Sequence, residues 1–91
     1  MPLTSKLQRK LMRAFVLVRT KPGTSEEVVK SRRIKGVKIA NSVLGRVDVV
    51  LVIEAYTLEE IRNILYEMVE KNPNVVRTET LISITPEAEE E

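Results

Sequence analysis

From Met12 to Arg19 apolar and β-branched residues run almost unbroken, until Thr20-Lys21-Pro22-Gly23, where proline and glycine mark a turn. A first strand is predicted there. Thr24-Ser25-Glu26-Glu27 follows with the spacing of a capping box, in which the Thr24 hydroxyl and the Glu27 carboxylate would satisfy backbone donors at a helix start. The short helix this predicts runs to about Arg33, with Gly36 at its exit. Val37, Ile39, Asn41 and Val43 then alternate with Lys38, Ala40 and Ser42, the pattern of a half-buried strand ending in a tight turn at Leu44-Gly45-Arg46. A third strand is predicted over Val47 to Ala55. A second capping box, Thr57-Leu58-Glu59-Glu60, opens a longer helix with Ile61, Ile64, Leu65, Met68 and Val69 on one stripe, and Asn72-Pro73-Asn74 ends it. The last segment, Val75 to Thr85, alternates Val76, Thr78, Thr80, Ile82 and Ile84 against Arg77, Glu79, Leu81, Ser83 and Thr85, and Pro86 closes it.

The element order is βαββαβ, two βαβ halves joined by the Gly45 hairpin. Right-handed crossovers turn that order into a ferredoxin-like α+β fold, a four-stranded antiparallel sheet with both helices on one face. The strands carry more apolar surface than two helices can cover. In strand three Val47, Val49, Leu51 and Ile53 point one way and Val50 and Val52 the other, and strand one sets Phe15 and Leu17 against Ala14, Val16 and Val18. The open face predicts dimerisation by sheet-to-sheet packing with a second copy. Strong β-propensity alone is the competing reason for apolar residues on both faces.

Length and charge add detail to this outline. A chain of 91 residues has room for one domain and buries a modest share of its surface alone, so association would help it. The expected division is a basic tail over residues 1–12, the domain over 13–85 and an acidic tail over 86–91. The first 13 residues hold Lys6, Arg9, Lys10 and Arg13 and no acid, while the last five hold Glu87, Glu89, Glu90 and Glu91. The longest apolar stretch, Val47 to Ile53, contains Asp48 and is far short of the roughly 20 residues that span a bilayer. The basic start lacks the apolar run of a secretory signal, so a cytoplasmic location with no membrane contact is expected. The chain has no cysteine and no histidine, which removes disulfides, thiol nucleophiles, the commonest imidazole base and most zinc chemistry. Neither a metal nor a cofactor is expected.

Three segments carry a resemblance: Ala14-Phe15-Val16-Leu17-Val18, Val43-Leu44-Gly45-Arg46-Val47-Asp48-Val49-Val50, and Asn74-Val75-Val76-Arg77-Thr78-Glu79-Thr80. Together they resemble the C-terminal effector (RAM) domain of the Lrp/AsnC family of prokaryotic transcription regulators, over roughly Arg13 to Thr85. Regulators of that family usually carry a helix-turn-helix domain in front, for which a dozen residues leave no room. The chain is therefore similar to the stand-alone members, and no specific DNA binding of its own is expected. The resemblance implies a non-enzymatic module that binds an amino-acid effector, with dimers closing into an octamer or similar ring. It also implies a possible full-length Lrp/AsnC-type regulator as partner. The hairpin motif, Gly45, Arg46 and Asp48, falls on the family's effector site. There Gly45 would let the backbone approach a ligand and Asp48 would face the effector ammonium, a charged hydrogen bond. Thr78 and Thr80 match positions near the same cleft. Each also has a structural reading: Gly45 as a turn residue, Asp48 as a hairpin cap, the threonines as strand formers. The chain departs from the family at Val47, often aromatic there, and at Ser31, Arg32 and Arg33, where apolar residues would be expected. Effector identity is thereby left open.

Other functions fit less well. Acylphosphatases share the fold but need a glycine-rich phosphate cradle with arginine after strand one, which Arg19-Thr20-Lys21-Pro22-Gly23 does not reproduce. Lys30, Arg32, Arg33, Lys35 and Lys38 would suit nucleic acid. A sheet that reads single strands needs stacking aromatics, yet of Phe15, Tyr56 and Tyr66 only Phe15 lies within a strand. The ACT domain, another βαββαβ amino-acid binder, has a Pro-Gly turn like Pro22-Gly23, but there apolar residues follow at once, and here Thr24-Ser25-Glu26-Glu27 intervenes. A structural adaptor without ligand is the other alternative.

Overall fold

The computed structural model describes residues 11–85. The basic and acidic tails therefore lie almost wholly outside the described residues. Strand β1 spans Met12–Thr20, helix α1 Ser25–Val29 with a 3-10 turn over Lys30–Arg33, and β2 spans Val37–Ser42. Strand β3 is Val49–Ala55, helix α2 Leu58–Lys71 and β4 Val75–Ile82. All neighbouring strands are antiparallel in the order β2-β3-β1-β4, which is the ferredoxin-like arrangement the alternation predicts.

Register assigns the two faces. Ala14, Val16 and Val18 of β1 sit opposite Ile53, Leu51 and Val49 of β3, and these six are buried with Val37, Ala40, Val28, Ile34, Ile61 and Met68. That cluster is the core between sheet and helices. The opposite face carries Phe15, Leu17, Val50, Val52, Ile39 and Leu81, adjacent across β2, β3, β1 and β4. Phe15 is 37% exposed, Ile39 45% and Leu81 46%, so the second face is apolar and open in the single chain. At its rim Arg13 donates to Glu54 Oε2 through Nε at 3.0 Å and Nη2 at 2.8 Å, a cross-strand ion pair.

Several local expectations are corrected. The first capping box does not form: Thr24 Oγ1 donates to the Lys21 carbonyl at 2.7 Å, and Glu27 Oε1 accepts from Asn74 Nδ2 at 2.8 Å. The Pro22-Gly23 turn and the loop before β4 hold both side chains first. The second box does form its main bond, with Thr57 Oγ1 accepting from Glu60 N at 3.0 Å, while Glu60 Oε1 reaches one residue further back to Tyr56 N at 2.9 Å. In β2 the alternation is broken by a bulge at Lys38, so Val37 is buried at 6% exposure whereas Ile39 faces the open side. A second bulge puts Val76 out of step on β4, because Arg77 pairs with Arg19 and Val75 with Thr20. Val76 thus leaves the row of Thr78, Thr80 and Ile82. The expected tight turn at 44–46 is instead a loop over residues 43–48, strand three starts at Val49 rather than Val47, and the last strand ends at Ile82.

The departures in the first crossover have physical reasons. Ser31 is buried in the 3-10 turn and accepts a hydrogen bond from Asn72 Nδ2 at 2.9 Å, tying this turn to the end of α2. Arg32 turns back to the sheet and donates to the Ala40 carbonyl at 2.8 Å. Gly36 has φ +98°, and a Cβ there would overlap Ile64 Cδ1 of α2. Glycine is required at that point by both conformation and space.

Candidate functional site

Gly45, Arg46 and Asp48 share the 43–48 loop at the end of the sheet where β1 finishes and β4 begins. Gly45 has φ +145°, outside the range L side chains favour, and no atom lies within 4 Å of a Cβ built on it. The glycine serves backbone conformation and leaves open space on its outer side. Arg46 contributes its carbonyl, which accepts from Arg19 Nη1 at 2.7 Å, so a β1 side chain holds the loop tip.

Asp48 is tied down on three sides. Its N–H donates to the Val18 carbonyl at 2.8 Å, and its carbonyl accepts from Val43 N at 2.9 Å. Its side-chain Oδ2 accepts from Thr20 N at 2.8 Å. The carboxylate therefore caps the last backbone donor of β1 and has a fixed position. Its Oδ1 receives no hydrogen bond from any described residue. One oxygen of the carboxylate is thus engaged by the fold and the other is not. Both sequence readings of Asp48, hairpin cap and ligand contact, are compatible with this one geometry.

The threonines lie elsewhere on the sheet. Thr78 pairs with Val18, in the row of Val49, and Thr80 pairs with Val16, one row further from the loop. Both side chains share the helix-facing side with Val16 and Val18 and are half-buried, and neither makes a hydrogen bond to a described residue. Two strand spacings, about 10 Å, separate β4 from β3 across β1, too far for a direct Asp48–Thr78 hydrogen bond. Within one chain the loop residues form one group and the threonines another.

Sequence reasoning missed Arg19 and Thr20, which hold the loop from β1. Their contact depends on the β1–β3 register, and no spacing along the chain encodes it. Two clefts were also missed. One of about 540 Å³ lies between the 3-10 turn and the end of α2, lined by Lys30, Ser31, Arg33, Lys35, Lys71 and Asn72 among others. Another of about 650 Å³, with Leu11, Gly36, Lys38, Tyr56 and Ile64 in its walls, lies where β3 ends and β2 begins. Neither includes a residue of the 43–48 loop. Among the described residues no cluster of acidic side chains is arranged to hold a metal ion, and no helix is long and apolar enough to cross a membrane.

Solved structures of similar fold are known. No curated protein matches the chain. A hypothetical protein from Pyrococcus horikoshii is 31% identical, with a TM-score of 0.74 over 84% of this chain and 93% of that one. The protein described as FFRP-DM1 is 32% identical, with a TM-score of 0.72 over 80% of this chain and 99% of its own. Escherichia coli AsnC superposes with a TM-score of 0.76 at 13% identity, which speaks for the fold alone; 96% of this chain covers 59% of that protein. Residues 13–90 match the family described as the Lrp/AsnC ligand binding domain. A half-free carboxylate in a pinned loop, on a sheet with one covered and one open face, is thus built on the scaffold of a regulatory effector-binding module, and the chain belongs to the Lrp/AsnC ligand-binding-domain family.

Proposed function

We propose that this chain is a non-enzymatic, cytoplasmic effector-binding module that recognises an amino acid at the 43–48 loop and assembles through its open sheet face. The observation that carries the binding reading is the divided carboxylate of Asp48. Oδ2 is fixed by Thr20 N, and Oδ1 takes no donor from the described residues. A preorganised carboxylate gains more from an ammonium than a mobile one, because little side-chain freedom is lost on binding. Gly45 keeps the neighbouring space open, and Arg46 stands beside it in the same loop.

Assembly rests on the open face, where Phe15, Leu17, Val50, Val52, Ile39 and Leu81 are contiguous. Apolar patches of this kind mark association surfaces in soluble proteins. A second copy packed there makes a homodimer, and dimers close into an octamer or similar ring. A full-length Lrp/AsnC-type regulator is a further partner for the same surfaces. Direct specific DNA binding is not part of this function.

A thermal-shift screen of the twenty amino acids tests the binding reading, since a ligand of the native state raises the melting temperature. Asp48→Asn keeps an acceptor for Thr20 N and removes the charge. It should weaken the responding amino acid by about 1–3 kcal/mol, roughly 5- to 150-fold, in calorimetric titration, with melting little changed. Equal affinities would reduce Asp48 to a hairpin cap. A structural adaptor without ligand is the second reading, favoured by the fact that neither cleft is lined by a residue of this loop; a screen in which no amino acid shifts the melting temperature would select it.

A further inference from the structure

The run of cations in the first crossover is sorted by the fold. Arg32 is consumed by the Ala40 carbonyl. Lys30, Arg33 and Lys35 instead line the 540 Å³ cleft, together with Lys71 from the end of α2. Of the two acids in that lining one is ion-paired and the other is held by a neutral amide. Glu67 Oε2 pairs with Lys71 Nζ at 2.8 Å, and Glu27 Oε1 accepts from Asn74 Nδ2 at 2.8 Å. Lys30, Arg33 and Lys35 have no ion-pair partner among the described residues. The cleft therefore sets four cations, Lys30, Arg33, Lys35 and Lys71, against two carboxylates, Glu27 and Glu67, and keeps a positive balance over a floor that includes buried Ile34 and Ser31.

We infer that this cleft is a docking site for the acidic segment 87–91 of a second copy of the chain. Charge complementarity selects that occupant. Glu87, Glu89, Glu90 and Glu91 place four carboxylates in five residues, against a lining in which four cations outnumber two acids. Chain geometry selects the second copy. Asn72, at the cleft, is followed by β4, which carries the chain away from it. From Val75 to Ile82 the strand covers about 23 Å at its ordinary rise. From Ile82 to Glu87 a fully extended chain returns at most about 17 Å. A chain's own segment can thus bring back only its last residues, whereas a neighbour's can lay all four carboxylates along the cleft. Docking of this kind links copies on the helix side, away from the open sheet face, and weakens with salt because the charges are exposed.

Zero-length carbodiimide cross-linking of the full chain tests this, with equal amounts of unlabelled and 15N-labelled protein mixed and read by mass spectrometry. The expected result is cross-links from Glu87, Glu89, Glu90 or Glu91 to Lys30, Lys35 or Lys71, carrying mixed isotopes. Their yield should fall severalfold on going from about 0.05 to 0.5 M salt, and severalfold in Arg33→Gln, which removes a cleft cation without offering a new cross-linking site. Cross-links confined to one isotope would show docking within a chain and overturn the inference. So would tail cross-links only to Lys6 and Lys10, or yields indifferent to salt and to Arg33→Gln. Melting of Arg33→Gln should match that of the unaltered chain, since Arg33 is exposed, so a misfolded variant is recognised directly.

Discussion

The two crossovers of this fold begin with the same pattern, threonine followed three residues later by glutamate, and end as different structures. After β3, Thr57 caps a helix of 14 residues. After β1, Thr24 makes no cap bond, and the helix lasts five residues before it tightens into a 3-10 turn. Local sequence is nearly equal at the two starts, so the difference comes from what each crossover is attached to. Helix α2 has an apolar stripe long enough to anchor itself, with Ile61 and Met68 buried and Ile64 and Leu65 packed against the core. The first crossover offers Val28 and Ile34, with Val29 partly buried beside them, and adds polar ties: Ser31 to Asn72, Arg32 to Ala40, Glu27 to Asn74. One crossover carries itself, and the other leans on its neighbours.

Substitutions can break that contrast. The largest effect is expected from Met68→Ala, which empties a fully buried site under α2 and should cost about 2–5 kcal/mol in chemical denaturation. A cost below 1 kcal/mol would mean that α2 is not the anchor described. Next is Gly36→Ala, where the left-handed backbone alone costs about 1–2 kcal/mol, and Ile64 must also move aside. Gly23→Ala is the control: with φ +80° and nothing within 4 Å of the added Cβ, it should show the backbone cost alone. Equal losses at both glycines would remove the tie between the first crossover and α2. The smallest and sharpest pair is Thr57→Ala against Thr24→Ala. Loss of the Thr57 cap should cost about 1 kcal/mol. Thr24→Ala, which loses only an exposed hydroxyl bond to Lys21, should stay within about 0.5 kcal/mol. If the two melt alike, the capping difference has no energetic weight.

The assembly claim can be checked separately. Light scattering at micromolar concentration should return a mass of a dimer or a multiple of it, and Phe15→Lys, which buries a charge in the open face of any sheet-to-sheet dimer, should shift it toward the single-chain mass of 10.4 kDa. A single-chain mass for the unaltered protein would sink the interface.

Much of the fold could be read along the chain because its signals are local. Alternation in β1 and β3, the stripe of α2 and the stops at Pro22-Gly23 and Pro73 each depend on residues within a few positions of one another. What escaped was decided by pairing. The Lys38 bulge arises because β2 must meet both β3 and the turn at Gly36, and the 43–48 loop stays wide because Asp48 is drawn to Val18 and Thr20 on β1. The site divides the same way. Gly45 and Asp48 stand close in sequence and in space, so their motif was visible. Arg19 and Thr20 join them only through register, and Thr78 and Thr80 remain two strands away in one chain.

The two bulges have a consequence for how copies of this chain can stick together. Both interrupt outer strands of the sheet, Lys38 on β2 and Val76 on β4. An uninterrupted outer strand is a template on which a further molecule can continue the hydrogen-bond ladder, and repetition of that step produces fibrils. Here each rim is locally out of phase, and on the β2 side the Arg32 guanidinium already occupies the Ala40 carbonyl. Growth in the plane of the sheet is thereby discouraged at both rims, and with it the open-ended polymers that this much apolar strand surface would otherwise invite.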